Sequence, residues 1–391
     1  MLAHSPPLPL IIDFNDECRD ITAEDEEEVI LALGQRERVR RIRLFLPIPI
    51  MERLVMVIER EYPILEYLIM ATLDEEMSAS LMLTETFQAP HLRHLTLGCF
   101  AIPIGSRLLT TAVGLVALIL IMNQPSAYLQ PNTLHRWISS MPNLEILGVF
   151  FTFPVHNRDV ERQLMRAPTT THVTLPNLLR LIFRGASAYM EAFVRNITTP
   201  RLERLDIVFF NQLTFSIPCL TQFMNTTENL KFSHARLLFS GKLVDVDVYP
   251  HEKAKTHALS IRVDCWGLDR QVSSAAQISN ALTQKFSTVE HLAFEHVVHR
   301  RSSEEYNEVD RTEWHKLLRS FNNVKTLHIR HTVLVGEFSR CLQLDDGEHP
   351  LELLPELQEL TFPKSSAVGD PFTKFIDARK NAGRPVILTR R

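Results

Sequence analysis

The sequence predicts an α/β solenoid, a stack of short parallel strands each followed by a helix, and three observations predict it. One shape returns along all 391 residues: proline or asparagine, then Leu-x-x-Leu-x-Leu, clearest in Pro90-His91-Leu92-Arg93-His94-Leu95-Thr96-Leu97. Further clear copies run over 63–70, 142–149, 176–183, 200–207, 323–329 and 355–362, with weaker ones at 39–44, 115–120 and 289–294. The second observation is spacing. The first apolar position of each copy falls at 39, 65, 92, 115, 144, 178, 202, 289, 324 and 357. If the gap from 202 to 289 hides two copies, the mean period is about 29 residues, a length that belongs to stacked repeats. The third is alternation within a copy. Leu95 and Leu97 point to one face, His94, Thr96 and Gly98 to the other, and Leu92 enters the same core from the turn before the strand.

A repeat of this size cannot cover its own apolar face, so neighbours must stack on it and the core becomes a continuous ribbon. Proline suits the start of each copy, because the first residue of a strand can lack a ladder donor. About 20 residues remain after each strand, enough for the crossover that a parallel connection requires. The period lies at the long end of the leucine-rich-repeat range. The expected architecture is therefore a leucine-rich-repeat horseshoe, parallel strands on its concave face and helices on its convex face. Because a solenoid grows lengthwise and escapes the size limit of one globular core, residues 1–391 are expected to form a single domain. Caps are expected at 1–36 and 364–391.

Taken in order, the stretch 9–14 is strand-like and caps the first repeat. Thr22-Ala-Glu-Asp25 has the form of a capping box, with Glu26 to Glu28 in the first turn of a helix reaching about Leu33. Leu54, Val57 and Ile58 at helical spacing make 50–60 the crossover after the first clear strand. A helix over 131–141 opens on a proline and carries Leu134, Trp137, Ile138 and Met141 on one side. Another, over 186–197, aligns Tyr189, Met190, Phe193, Val194 and Ile197. The repeat shape blurs over 211–258, although 237–239 and 243–249 are strand-like. Alternation returns at 259–263, and 272–286 is a helix with Ile278, Leu282 and Phe286 on one side. A polar loop is expected over 299–311, then a helix at about 312–320. The last helix, 371–381, stops at Gly383, a left-handed terminator, before a final strand at 386–388.

Composition excludes several classes of function. A charged fraction of 23% and a hydrophobic fraction of 45% are ordinary for a globular protein. The formal net charge of −4 provides no basic field for nucleic acid or acidic lipid. Cys18, Cys99, Cys219, Cys265 and Cys341 are widely spaced, and the opening Met-Leu-Ala-His-Ser-Pro-Pro lacks the pattern of a secretory signal, so reduced cysteines and a cytoplasmic or nuclear location are expected. The glycosylation acceptors at Asn196 and Asn225 are then unused. The apolar run 113–122 is too short to span a bilayer. His91 and His94, or His291, His296 and His299, lack partners at zinc-site spacing. No phosphate loop, nucleophile elbow or His-Glu-x-x-His motif is present, and only 12 glycines are available for such loops. No catalytic residue, cofactor or metal is expected. Trp137, Trp266 and Trp314, each among apolar neighbours, are expected in the core.

Several longer stretches carry a resemblance. Val-Ser-Ser-Ala-Ala-Gln-Ile278, Phe-Ser-Thr-Val-Glu-His-Leu292, Asp-Arg-Thr-Glu-Trp314, Ser-Phe-Asn-Asn-Val-Lys-Thr-Leu327 and Phe375-Ile-Asp-Ala-Arg-Lys-Asn-Ala-Gly383, set among uneven Leu-x-x-Leu-x-Leu repeats, resemble the fungal F-box leucine-rich-repeat proteins from about Pro7 onward. The resemblance implies a protein-binding scaffold, the substrate-recognition arm of an F-box-type ubiquitin ligase. No Leu-Pro-x-Glu-like helical segment of the size of an F-box precedes the first repeat, so docking to the ligase adaptor is expected only where an F-box is supplied. Alternative classes are a sensor or GTPase-regulator-like binding module and an enzyme on a solenoid scaffold. A monomer is expected.

Strand alternation also locates a binding surface. The residues flanking the second apolar position face outward and adjacent strands bring equivalents to about 4.8 Å. They present Arg41, Arg43, Tyr67, Ile69, His94 and Thr96, then Ala117, Ile119, Ile146 and Phe150, then Arg180, Arg184 and Arg204 beside Asp206. An apolar centre edged by arginines and aromatics has the composition of an interface hot spot, the alternative being that a loop from the irregular middle covers the strip and supplies carboxylates to the arginines. The expected protein-binding residues are Tyr67, His94, Ile119, Ile146, Phe150, Arg180, Arg184, Arg204 and Asp206.

Overall fold

The computed structural model describes residues 8–15, 22–72, 81–103, 105–123, 128–152, 172–210, 215–297, 309–343, 351–364 and 371–391. The chain forms two compact units, Met1–Leu202 and Glu203–Arg391. Both are mixed α/β, built on long, mostly parallel sheets. Among the described residues no helix is long and apolar enough to cross a membrane.

In the first unit the elements run β1 (Leu10–Asn15), α1 (Ala23–Leu33), β2 (Val39–Leu46), α2 (Ile48–Val57), β3 (Tyr67–Thr72), β4 (Leu81–Met82), β5 (His94–Gly98), β6 (Phe100–Ala101), α3 (Arg107–Thr111), β7 (Ala117–Met122), α4 (Pro131–Ile138), β8 (Ile146–Phe151), β9 (Val173–Thr174), β10 (Arg180–Gly185), α5 (Ser187–Val194) and β11 (Ile197–Thr198). Strands β1, β2, β3, β5, β7, β8 and β10 pair in that order, every pair parallel. The two-residue strands form separate parallel pairs, β4 with β6 and β9 with β11. Helix α1 starts where its capping box predicts. The Thr22 hydroxyl accepts from the Asp25 amide at 3.2 Å and the Asp25 carboxylate accepts from the Thr22 amide at 3.1 Å.

The second unit runs β12 (Arg204–Phe209), α6 (Pro218–Thr226), β13 (His234–Ser240), β14 (Leu243–Tyr249), β15 (Leu259–Asp264), α7 (Leu268–Ala281), α8 (Thr283–Phe286), β16 (His291–Val297), α9 (Arg311–Leu318), β17 (Thr326–Ile329), α10 (Thr332–Cys341), β18 (Glu359–Phe362), α11 (Thr373–Asn381) and β19 (Ile387–Arg390). Its strand order is β12-β15-β14-β13-β16-β17-β18-β19. Here the structure departs from the expectation of two hidden parallel repeats between 202 and 289. Strand β14 is antiparallel to both β13 and β15. The reason is chain length: only Gly241 and Lys242 separate β13 from β14, and a two-residue connection closes a hairpin whereas a parallel crossover needs a dozen residues or more.

The turn expected before each strand recurs in both units. At positions 39, 65, 92, 115, 144, 178, 202, 289, 324 and 357 the amide donates to the carbonyl three residues back, at 3.0 to 3.5 Å, and each of these side chains is at most 2% exposed. The residue just ahead of the strand then takes two amides from the next copy. Glu66, Arg93, Val116 and Glu145 do so in the first unit, Ser233, Glu290 and Lys325 in the second. Asparagines tie the same turns across copies: Asn177 Nδ2 donates to the Pro142 carbonyl and Asn323 Nδ2 to that of Ser287.

The core follows from this register. Leu68, Leu95, Leu118, Leu147 and Leu181 stand opposite one another and are buried, as are Leu292, Leu327 and Leu360 in the second unit. Phe151, Phe183 and Tyr189 pack edge-on or stacked at 4.8 to 6.3 Å in the first unit. Phe294, Trp314 and Phe338 do the same job in the second, where the Trp314 indole donates to Glu337 at 3.1 Å. Trp137 is buried as well, but Trp266 is not: it is 55% exposed, with Lys242 Nζ 5.1 Å from its ring centre. Gly267, at φ +81°, turns the chain immediately after it and leaves the indole outside. Gly383, at φ +76°, ends α11 as expected. The expected loop over 299–311 lies, up to residue 308, outside the described residues.

Candidate interaction surface

On the first unit the face opposite the buried leucines carries three rows of side chains, because five successive parallel pairings hold the same register from β2 to β10. The first row is Arg41, Tyr67, His94, Ala117, Ile146 and Arg180. The second is Arg43, Ile69, Thr96, Ile119, Gly148 and Ile182, and the third Phe45, Ala71, Gly98, Ile121, Phe150 and Arg184. With strands about 4.8 Å apart, five steps separate the arginines on β2 from those on β10 by about 24 Å. The span between them is mainly apolar, with His94 and Thr96 of β5 as its polar members. Ile69, Ile119, Ile121, Ile146, Phe150 and Ile182 are all half-buried, each leaning on its neighbours in the row.

Glycine makes that span continuous. A Cβ at Gly148 would lie 2.9 Å from the Phe150 ring and 3.3 Å from Ile119, so its absence lets the phenyl group and the isoleucine approach over the strand. At the β2 end the cations are held against aromatic rings. The Arg41 guanidinium lies 4.2 Å from the Tyr67 ring centre, and Tyr67 in turn meets His94 at 5.5 Å. Arg43 lies 5.2 Å from the Phe45 ring centre and 3.6 Å from the Asp13 carboxylate.

Seven of the nine residues expected to bind a partner thus fall on this one face. Tyr67, His94, Ile146 and Arg180 share the first row, Ile119 occupies the second, and Phe150 and Arg184 share the third. Ala117, also expected there, is covered by its larger neighbours at 8% exposure. Phe45, Ile121 and Ile182 belong to the face as well. Ile182 flanks the second apolar residue of its copy, and for Phe45 and Ile121 the signal is period-two alternation carried beyond the flanking positions.

Arg204 and Asp206 belong to the second unit, and there they face each other. Arg204 Nε lies 2.9 Å from the Asp206 carboxylate, and His257 bonds both, at 2.9 Å to the guanidinium and closely to the carboxylate. The same face of that unit is largely committed to such pairs. Arg262 binds Asp245 through two nitrogens, Arg236 binds Asp247 at 2.6 Å, and Arg330 binds Glu295 at 2.5 Å. Asp206, Asp245 and Asp247 are at most 9% exposed, so each buried carboxylate is matched by a guanidinium that itself reaches toward solvent. The Val-Asp-Val-Asp-Val run of β14 was the visible signal for two of them.

Among the described residues no cluster of histidine, cysteine and carboxylate side chains is arranged to hold a metal ion. Compared with protein-family models and with curated proteins, the chain matches none.

Proposed function

We propose that the protein is a non-catalytic protein-protein interaction scaffold, a leucine-rich-repeat horseshoe that presents the open face of the first unit to its partner. One observation carries this reading: isoleucines and Phe150 form an apolar stripe within the span of about 24 Å between the arginines of β2 and those of β10, on strands that keep one register. Such a stripe is unusual for a solvated sheet face, whose outward positions are ordinarily polar. Arginine and aromatic groups around an apolar centre are what binding hot spots are made of. The recurring turn at the first apolar position of each copy supports the repeat reading of the fold, and the motif resemblance supports a role as the substrate-recognition arm of a ubiquitin ligase, docking to the adaptor where an F-box is supplied.

The test is capture of partners from cell extract by the purified chain, with identification by mass spectrometry. Recovery of a ligase adaptor and a cullin supports the ligase arm, and unrelated partners support a free scaffold. Phe150→Ala combined with Arg180→Glu should lower recovery of those partners at least tenfold without moving the melting temperature. Recovery unchanged in the folded double variant would remove the first unit's open face from the reading.

A further inference from the structure

A second site lies on the second unit, where the rows of its sheet face are interrupted. Register sets Asp247, Arg236, Ala293 and His328 side by side on β14, β13, β16 and β17. The alanine between two long side chains leaves a hollow, and a cavity of about 340 Å³ opens over it. The adjoining row places His234 against His291, the rings stacked 4.1 Å apart, with His291 Nδ1 2.6 Å from the Thr326 hydroxyl. Lys255 and Glu252 reach the rim from the connection between β14 and β15.

Hydrogen-bonding capacity in this hollow is left over. Both ring nitrogens of His234 are shielded from solvent and meet no partner among the described residues, and the same holds for Nε of Arg236. Buried donors without acceptors are rare in folded proteins and call for an explanation. Arg236, Arg330 and Lys255 line the hollow with Glu252, and Asp247 and Glu295 engage the two guanidinium groups from their flanks, so the fixed charges balance and the histidines decide the sign of the site. We propose that this cavity binds a single oxyanion group, phosphate or carboxylate, seated over Ala293 and accepting hydrogen bonds from the imidazole and guanidinium groups around it. The group has the several lone pairs that these donors lack.

The site is coupled to protons. Burial lowers the pKa of His234, and His291 and His251 push the same way against Glu252 and Glu290. His328 is lowered by burial and by Arg330, Arg391 and His291, against Glu359. Empty, the pocket holds His234 and His328 neutral near neutral pH. A bound anion favours their protonated forms, so binding takes up protons and strengthens as pH falls.

Sulfate is the probe of choice, because its charge is constant from pH 5.5 to 8.5 and any pH dependence then belongs to the protein. Titration calorimetry of the full chain at fixed ionic strength should find one sulfate per chain, with affinity falling about tenfold per pH unit above the histidine pKa for each proton taken up. Ala293→Leu fills the hollow and should abolish binding. His328→Gln and Lys255→Gln, which alter only the wall and the rim, should weaken it severalfold while the melting temperature holds. A parallel titration with acetate separates the two ligand classes, the tighter anion naming the one the pocket fits. Absence of saturable sulfate binding at pH 5.5, or binding that survives both Ala293→Leu and His328→Gln, overturns the proposal.

Discussion

Replacing Arg379 by methionine should destabilise the second unit by about 3 kcal/mol. The side chain projects from α11 and is fully buried, an unusual place for a guanidinium. Its Nη1 donates to the Leu354 carbonyl at 3.2 Å, and its Nη2 to those of Pro355 and Leu357 at 3.0 and 3.1 Å. These carbonyls form the tight turn ahead of β18, where Leu354 sits at φ +49°. Burial, with Arg384 nearby, lowers the pKa of Arg379, but an arginine starts so high that it remains charged. Methionine keeps most of the volume and provides no donor, so the Pro355 and Leu357 carbonyls are orphaned, while that of Leu354 keeps the Leu357 amide. At about 1.5 kcal/mol for each of the two, toward the low end because returning water and the relief of a buried charge recover part of the loss, the sum is about 3 kcal/mol. Urea unfolding followed by tryptophan fluorescence would register this as a midpoint lower by about 1.5 M, for a slope of about 2 kcal/mol/M. Lysine at the same position, with one compact ammonium, should recover only part of the loss. A change below about 1 kcal/mol for Arg379→Met, or full rescue by lysine, would refute the account of the turn as held by a three-way guanidinium clamp.

Other outcomes follow from packing, burial and backbone geometry. Leu147→Ala, in the middle of the aligned leucine column of the first unit, should cost about 2 to 5 kcal/mol in thermal or urea unfolding. His135 is buried in α4 with Nε2 2.8 Å from the Phe193 carbonyl, and burial lowers its pKa despite that bond. The unfolded chain therefore binds the proton more readily. The stability due to this neutral histidine is fully present above pH about 6.5 and declines as pH falls through that value toward the folded pKa. Urea midpoints at pH 7.5 and 5 should differ less in His135→Gln than in the parent. Gly383→Ala should cost about 1 kcal/mol in thermal unfolding, from its left-handed backbone alone, because the added methyl group meets nothing within 4 Å.

The parts of the fold that were legible in the sequence are those where local pattern and tertiary environment agree. The ten first apolar positions, the buried leucine columns, the capping box at Thr22 and the terminator at Gly383 each require one residue type for one local reason. The meander of β13, β14 and β15 was hidden because its strands look like any others. What distinguishes it is the length of the connection at Gly241 and Lys242, which a search for Leu-x-x-Leu-x-Leu does not weigh. Trp266 misled for a similar reason: apolar neighbours in sequence do not decide which way a residue points when a positive-φ glycine follows. Much of the open face of the first unit could be read from alternation alone. The partner of Arg204 at Asp206 was also within reach, two residues along the same strand, whereas His257 comes from beyond a hairpin. The cavity over Ala293 could not be read at all, since it depends on which four strands become neighbours.

The order in which the second unit's strands pair has a consequence for how that unit is made. In the first unit each strand of the long sheet docks on the strand before it, so the structure can extend as the chain emerges, copy by copy. Strand β12 has no such successor. The next strand, β13, takes its parallel place beside β16, and the position next to β12 is filled by β15, whose pairing begins at Leu259. About 50 residues must therefore be synthesised, and two hairpins closed, before that edge of β12 is covered. Contacts this distant in sequence slow folding, and an uncovered hydrophobic edge is open to pairing with another chain meanwhile. The interval between β12 and β15 is the vulnerable stage in the biogenesis of this protein, when protection of one strand edge decides between folding and aggregation.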